Sequence, residues 1–332
     1  MKVWTDIFNG PHVHFFQHLS NFVDEVHFTA RQYYPIPQLL RLYKINARVI
    51  GSHGGKDLYR KLLVSSERVL LLAKYIKRQN VDLVIHKHSV EAARVAWGLD
   101  LPSISFVDNE LMVPQNMLVC PLSHVLIAPI AIDQYVLRNF TPSHVSILQF
   151  DGVSEVANVY QHEADERVLK KLNLRTDRPI IVFRGEPILA AYSSRNGLEG
   201  ALIKSIQTAL PDAQIVRIGR EGEEGSYNFR VFDARSLFRF ADIVISGGGT
   251  MAREAALLST NAITYFERPL AVDRYLIGKS MLQTFPGKEI FTVDWKKEVR
   301  RKTRRRPLSD FEHPFELLAR AEKLVRLQTR TH

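Results

Sequence analysis

Cysteine is nearly absent. Cys120 is the single one among 332 residues, which excludes an intrachain disulfide and any multi-cysteine zinc site. Long apolar runs are missing too, and none reaches the roughly 18 residues that crossing a bilayer requires. No secretory leader is expected, because Asp6 and the break at Asn9-Gly10-Pro11 interrupt the apolar start of the chain. With 45% hydrophobic and 24% charged residues, the composition is that of a globular protein. A cytoplasmic location is therefore expected, and the length suits two domains better than one.

Net charge is also small outside a single place. Residues 296–306 hold eight Lys and Arg against Glu298 alone, a net of +7 out of +10 for the whole chain. The segment has no interleaved aromatics and no nucleic-acid motif, so no nucleic-acid partner is expected. Two readings stay open. One is a solvated loop; the other is peripheral contact with anionic lipid on the inner face of the membrane, worth about 1 kcal/mol per basic residue.

What is present is a repeated alternation of strand and helix signals. "KVWTDI", "EVHFTA", "ARVIG", "VDLVIH", "PSISFV" and "HVLIAP" read as strands, with helices between them in "HFFQHLSNFV", "PQLLRLYKI", residues 57–79 and "SVEAARVAWGL". After about residue 150 the pattern resumes. "HEADERVLKKLNL" reads as a helix, then come strand "PIIVF", helix 197–209, strands "AQIVRIG" and "FRVFD", helix "SLFRFA", strand "DIVIS", helix "MAREAALL", strand "AITYF", helix 272–282, strand "IFTV" and a helical end over 312–328. Repeated β-α units imply parallel strands with crossover helices. The expected fold is α/β, with two Rossmann-like doubly wound domains facing a cleft. They span 1–150 and 151–332, with the helix over 312–328 packing back on the first.

"ADIVISGGGTMAREAALL" is the strongest motif. A buried strand runs through Ser246 into Gly247-Gly248-Gly249-Thr250, and a helix starts at once. Glycines allow close backbone approach and leave N–H groups to point at a ligand, while the helix start adds partial positive charge. Together these make a phosphate cradle, and Glu254, one turn into the helix, is placed to reach a ribose diol. A valine at Gly248 is expected to block the cradle with little loss of fold. The loop is neither the dinucleotide G-x-G-x-x-G, since Ala252 stands at the third glycine, nor a Walker loop. Arg184, Gly185 and Glu186 end the first strand of the second domain, where Arg184 is suited to pair with a donor phosphate. Tyr192 and Arg220 are further candidates near the base and diphosphate. In the first domain, "NGPHVHFF" places His12 at the first strand-to-helix corner. There an imidazole suits removal of a proton from an attacking hydroxyl, and Gly10 leaves room for a diphosphate. His14 reads as structural. Asp108 and Glu110 end a strand and are candidates for acceptor binding or acid–base work. Lys56 in "HGGK" reads as an acceptor-phosphate ligand or an exposed lysine. His12, His14, His18 and the pair His86/His88 also admit a metal-ligand reading, but that reading leaves "SGGGT" unexplained.

The strand, glycine loop, Glu-bearing helix and following strand resemble the donor-nucleotide signature of GT-B enzymes, in particular MurG-type N-acetylglucosaminyltransferases and UDP-N-acetylglucosamine 2-epimerases. That resemblance assigns Glu254 to the ribose and His12 to the general-base position. It also matches "AVDRYLI" to the MurG-type segment after the next strand; Asp273 and Arg274 are kept, but Tyr275 and Leu276 replace two amides that read the sugar. Over nearly its whole length the chain resembles a largely archaeal, GT-B-like family of unknown function that shares "PHVHFF", "HGGK", "GGGTM-REAALL" and "AVD-YLI". The resemblance implies an inverting glycosyltransferase using a nucleotide-diphospho-sugar, with UDP expected, a saccharide or lipid-linked acceptor on the first domain, and no metal or cofactor. A UDP-sugar 2-epimerase or hydrolase, with Asp108, Glu110 and His86 around C2, and a non-catalytic nucleotide-sugar-binding protein are the alternatives. For the transferase, the pH–rate profile is expected to break near the ordinary imidazole pKa.

Overall fold

The computed structural model describes residues 1–185, 198–219, 231–301 and 306–329. The chain divides into two compact units, Met1–Asn158 together with the C-terminal segment from Phe311, and Val159–Asp310.

The first unit runs β1 (Lys2–Ile7), α1 (Gly10–Phe16), β2 (Glu25–Gln32), α2 (Ile36–Leu42), β3 (Ala47–Ser52), α3 (Leu58–Ile76), β4 (Leu83–Lys87), α4 (Val90–Gly98), β5 (Ser103–Phe106), α5 (Val113–Val119), β6 (Val125–Pro129), α6 (Gln134–Arg138), β7 (Ser146–Phe150) and α7 (Glu155–Val159). Its seven strands form one sheet in the order β3-β2-β1-β4-β5-β6-β7, parallel throughout. The central strands are buried on both faces, which is why "LVIHK", "SISF" and "VLIAP" read as near-continuous apolar runs. Asp57 and Ser89 cap α3 and α4 by accepting from Arg60 N–H at 2.7 Å and Ala92 N–H at 3.2 Å.

Beneath the sheet's carboxyl edge lies a buried polar tie. Arg68 of α3 grips Asp6 of β1 with two bonds of 2.7 and 3.0 Å and donates its Nε to the Ile50 carbonyl at 2.9 Å. Thr29 and Ser89 each donate to Asp6 at 2.7 Å. Burial alone would raise the Asp6 carboxyl, but Arg68 and the two hydroxyls outweigh it and hold the pKa below its ordinary value.

The second unit runs α8 (Arg167–Lys171), β8 (Ile180–Arg184), α9 (Glu199–Ala209), β9 (Gln214–Arg217), α10 (Ala234–Phe240), β10 (Ile243–Ser246), α11 (Thr250–Leu257), β11 (Asn261–Thr264), α12 (Ala271–Gly278), β12 (Leu282–Thr284) and α13 (Trp295–Val299). Its sheet has the order β12-β11-β10-β8-β9 and is also parallel. The chain then returns to the first unit through a 3₁₀ turn (Pro314–Leu317) and α14 (Leu318–Thr329). Phe315, 2% exposed, packs there against Phe15, Phe16, Phe22 and Phe106. Among the described residues no helix is long and apolar enough to cross a membrane.

Several expected elements differ. "IFTV" lies in and beside a 3₁₀ helix (Gly287–Thr292): Ile290 and Val293 are buried while Phe291 and Thr292 are exposed, a period of three rather than two. The described part of "FRVFD", residues 231–233, is not strand; Asp233 caps α10 instead. The helix expected over 272–282 ends at Gly278, and the chain re-enters the sheet as β12. "HFFQHLSNFV" is a short α1 followed by a separate 3₁₀ turn (Leu19–Asn21). "HEADERVLKKLNL" is helical only over Arg167–Lys171, and β7 and α5 had no clear sequence signal.

Candidate functional site

In an open parallel sheet, ligands bind outside the carboxyl ends of the strands where the strand order reverses direction. In the second unit that point lies between β8 and β10, and Arg184 and Ser246 stand opposite each other there. Gly247 N–H donates to the Arg184 carbonyl at 3.0 Å, and Ser246 Oγ donates to the Gly248 carbonyl at 2.9 Å. Gly248 and Gly249 have φ of +105° and +98°, a region that favours glycine. The two differ in surroundings. A Cβ on Gly248 would lie 3.0 Å from Phe266 Cγ, whereas one on Gly249 would meet nothing within 4 Å. The expectation that Gly248→Val spares the fold is therefore corrected: Gly248 is needed for packing on Phe266. Gly249 faces open space at the N-cap of α11, and Thr250 begins that helix. Glu254 lies one turn in and is buried.

Other donor-side candidates have structural partners. Asp273 receives Arg253 Nη1 at 2.7 Å and the Leu270 N–H at 3.0 Å, so it ties α11 to α12 and caps the latter. Arg274 is exposed and donates to the Pro269 carbonyl at 2.6 Å. Gly185 makes room for the carboxylate of Glu199, which pairs with Arg217. Glu186, Tyr192 and Arg220 lie outside the described residues, as do residues 302–305 of the basic segment. Of that segment, Arg301 is bonded to Gln283 at 2.7 Å, while Lys296, Lys297 and Arg300 are exposed.

In the first unit the strand order reverses between β1 and β4. His12 follows β1 in the first turn of α1, Lys87 ends β4 and His88 follows it. The His12 ring is 6% exposed and meets Phe8 edge-on at 4.5 Å. Its Nδ1 has no hydrogen-bond partner among the described residues. Burial, then the nearby Lys87, pushes its pKa well below 6.5, with Asp108 pulling the other way. Lys87 Nζ pairs with Asp108 Oδ2 at 2.6 Å and lies 4.4 Å from the Phe15 ring centroid. Asp108 N–H donates to His88 Nε2 at 3.1 Å. Burial raises the Asp108 carboxyl, but Lys87 outweighs it and holds the pKa well below the usual range. Asp108 is thus an ionised, partnered carboxylate. Glu110 lies on the same loop, which Asn116 secures by donating to the Asn109 carbonyl at 3.0 Å.

At Gly10 a Cβ would meet Pro35 and Leu39 at ordinary contact distances of 3.4 and 3.8 Å, and the Gly10 N–H donates to Asn9 Oδ1 at 2.9 Å. His14 packs on Tyr43 at 5.3 Å. His86 is fully buried, which pushes its pKa to about 3. Among the described residues no group of three or more His, Cys, Asp or Glu is arranged to hold a metal ion. In "HGGK", a Cβ on Gly54 would collide with the Lys61 backbone, so this glycine lets the loop close on α3, and Lys56 is exposed. Two surface hollows, of about 560 Å³ beside Phe291 and Trp295 and about 300 Å³ beside Arg41 and Lys44, hold none of the candidate residues. Sequence reading missed Arg31 and Lys87, which carry no motif and gain meaning only from the strands beside them.

The fold is shared with solved nucleotide-sugar enzymes. A UDP-GlcNAc 2-epimerase of Methanocaldococcus jannaschii, in complex with UDP-GlcNAc and UDP, is 14% identical with a TM-score of 0.68, over 99% of this chain and 100% of that one. The spinosyn forosaminyltransferase SpnP is 14% identical with a TM-score of 0.57, over 98% and 99%. Such epimerases and glycosyltransferases have the GT-B fold, and this chain has it as well. Uncharacterized protein MJ0665 of Methanocaldococcus jannaschii is 35% identical over 309 residues, covering 87% of this chain and 89% of that protein. Residues 1–324 match the family described as "Protein of unknown function (DUF354)", and the chain belongs to that family.

Proposed function

We propose that the protein is an inverting glycosyltransferase that takes a nucleotide-diphospho-sugar, with UDP as the nucleotide, on its second unit and an acceptor on its first. The observation that carries this reading is the Gly247-Gly248-Gly249 turn at the reversal point of the second sheet. Two left-handed glycines open directly into the N-terminus of α11 there, with Glu254 one turn further on. Backbone N–H groups and the helix dipole suit a diphosphate, and the Glu254 carboxylate suits a ribose diol. That the M. jannaschii epimerase was solved in complex with UDP-GlcNAc and UDP supports the choice of nucleotide.

In the proposed reaction the acceptor oxygen attacks the anomeric carbon. The bond from that carbon to the β-phosphate oxygen breaks, its electron pair leaves with UDP, and the hydroxyl proton passes to His12. Its depressed pKa keeps His12 neutral at pH 7, able to accept that proton. Charge building on the departing diphosphate is met by the α11 N-terminus and Arg184, and the reaction uses no bound metal. Lys87 and Asp108 position the groups around His12. A 2-epimerase would need free acid–base groups at C2. The partnering of Asp108 by Lys87 and the burial of His86 weigh against that reading.

Incubation with UDP-, GDP- and dTDP-sugars tests the proposal. Free UDP released only when an acceptor is added supports transfer. A new UDP-sugar formed without acceptor makes the protein an epimerase, and binding without turnover makes it a carrier.

A further inference from the structure

Two arginines of the first unit sit near the same strand ends and are treated very differently. Arg68 is saturated: its Nη groups meet Asp6 and its Nε meets a carbonyl. Arg31, at the carboxyl end of β2, is not. Its guanidinium carbon lies over the rings of Phe8 and Tyr33, 5.1 and 5.2 Å from their centroids. Its Nε is buried and meets no acceptor among the described residues. The carboxylates near enough to attract it are Glu91 and Asp6, with Arg68 opposing. Both are already engaged, Asp6 by Arg68, Thr29 and Ser89, and Glu91 by Ser65 at 3.1 Å and Arg68 at 3.9 Å. A guanidinium that stays charged, lies over two aromatic rings and lacks an oxygen for its buried donor is preorganised for an oxyanion, which it grips with two parallel bonds.

The surroundings say where that oxyanion lies. Phe8, which carries Arg31 on its ring, also carries His12 edge-on at 4.5 Å. On the other side Tyr33 stacks with His53 at 4.3 Å, and His53 Nδ1 is fixed by the Gly55 N–H at 3.0 Å. Phe8 thus links the clamp to the imidazole that takes the proton in the proposed reaction.

We propose that Arg31, flanked by Phe8 and Tyr33, is the clamp of an anion subsite in the first unit, and that the acceptor carries a phosphate or carboxylate which Arg31 holds beside His12. This rests on the transferase reading for the word acceptor; the anion subsite itself does not.

Calorimetric titration of the full chain with glucose 1-phosphate, glucuronate and neutral glucose tests it. At least one charged probe is expected to bind tenfold or more tightly than glucose, and the tighter of the two identifies the group. Arg31→Gln is expected to abolish the preference and Arg31→Lys, which keeps the charge but loses the planar fork, to weaken it about tenfold. UDP affinity should change less than twofold in both. Equal binding of charged and neutral probes by the parent protein overturns the proposal. So does a charged-probe affinity that neither variant alters. If Arg31→Gln does not fold, Arg31→Lys decides. Failure of the parent protein to bind UDP would defeat the transferase reading and leave the probe titration as the measure of the subsite.

Discussion

His12 is held by two opposing influences, burial with Lys87 on one side and Asp108 on the other, and the first wins. An imidazole whose folded pKa lies below 6.5 must lose its proton before it can act as base. Activity should therefore rise with pH along an acid limb whose midpoint falls below 6.5, lower than the ordinary value expected from sequence. His12→Ala should remove the limb and cost about 10²–10⁴-fold in kcat while sparing UDP-sugar affinity; steady-state kinetics across pH with calorimetry checks both. The glycines separate in the same way. Gly249→Ala carries the same positive-φ cost, roughly 1–3 kcal/mol, but its Cβ meets no neighbour, so it should lower UDP affinity at least tenfold with a smaller loss of stability than Gly248→Val. Gly248→Val should lower stability, because a positive φ costs a non-glycine roughly 1–3 kcal/mol and the side chain collides with Phe266. Thermal unfolding beside UDP titration distinguishes the two. Cys120 is a control: buried, with its thiol pushed up to about 12, it should resist thiol reagents until the protein unfolds.

Elements are held together by what their pattern does not display. The α3 segment reads as amphipathic, yet only Arg68, Leu72 and Ile76 are buried, and Leu58, Tyr59, Leu62, Leu63 and Leu70 are exposed. What anchors this helix to β1 and β4 includes the Arg68–Asp6 pair, in which both side chains are fully buried. Breaking a buried pair by removing one partner typically costs about 3–5 kcal/mol. Arg68→Met should therefore lower unfolding free energy by about that amount in urea titration, far more than Arg94→Met on the exposed side of α4. Gly51 belongs to the same arrangement, since a Cβ there would press on the Arg68 side chain at 2.9 Å. Helix and strand identities followed apolar periodicity well where runs were long and buried on both faces. They failed at "IFTV" and at the end of the helix over 272–282, where short apolar stretches fit more than one period.

At the scale of the whole chain, the C-terminal segment crosses back to complete the first unit, with Phe315 entering a cluster of four phenylalanines. Phe315→Ala should cost about 3–5 kcal/mol, read as a lowered unfolding midpoint. Acid should weaken the protein by a second route. His86 and His313 have pKa values pushed by burial to about 3 and about 4, and His12 is lowered as well. Their folded pKa values lie below the unfolded value of about 6.5. The stability they contribute is therefore present above pH 6.5 and is lost as pH falls through the folded values, because only the unfolded chain takes up protons in that window. Melting temperature should be flat above pH 7 and fall between pH 6 and 4. His86→Leu should flatten that slope.

The sequence by itself determined the α/β class, the parallel strands, the glycine turn before α11 and the corner that carries His12. Each of these is local: apolar period, a run of glycines and a proline-marked turn act over a few neighbouring residues. Tertiary structure decided which charged side chains are partnered. Asp108 and Asp273 looked like available site groups, but Lys87 and Arg253 occupy them, while Arg31, which carries no motif, is left with a buried donor unmet. Such pairings join residues 20 to 62 positions apart. They follow from strand order and burial, because only a low-dielectric interior makes an ion pair or an unmet donor count, and no local pattern encodes that.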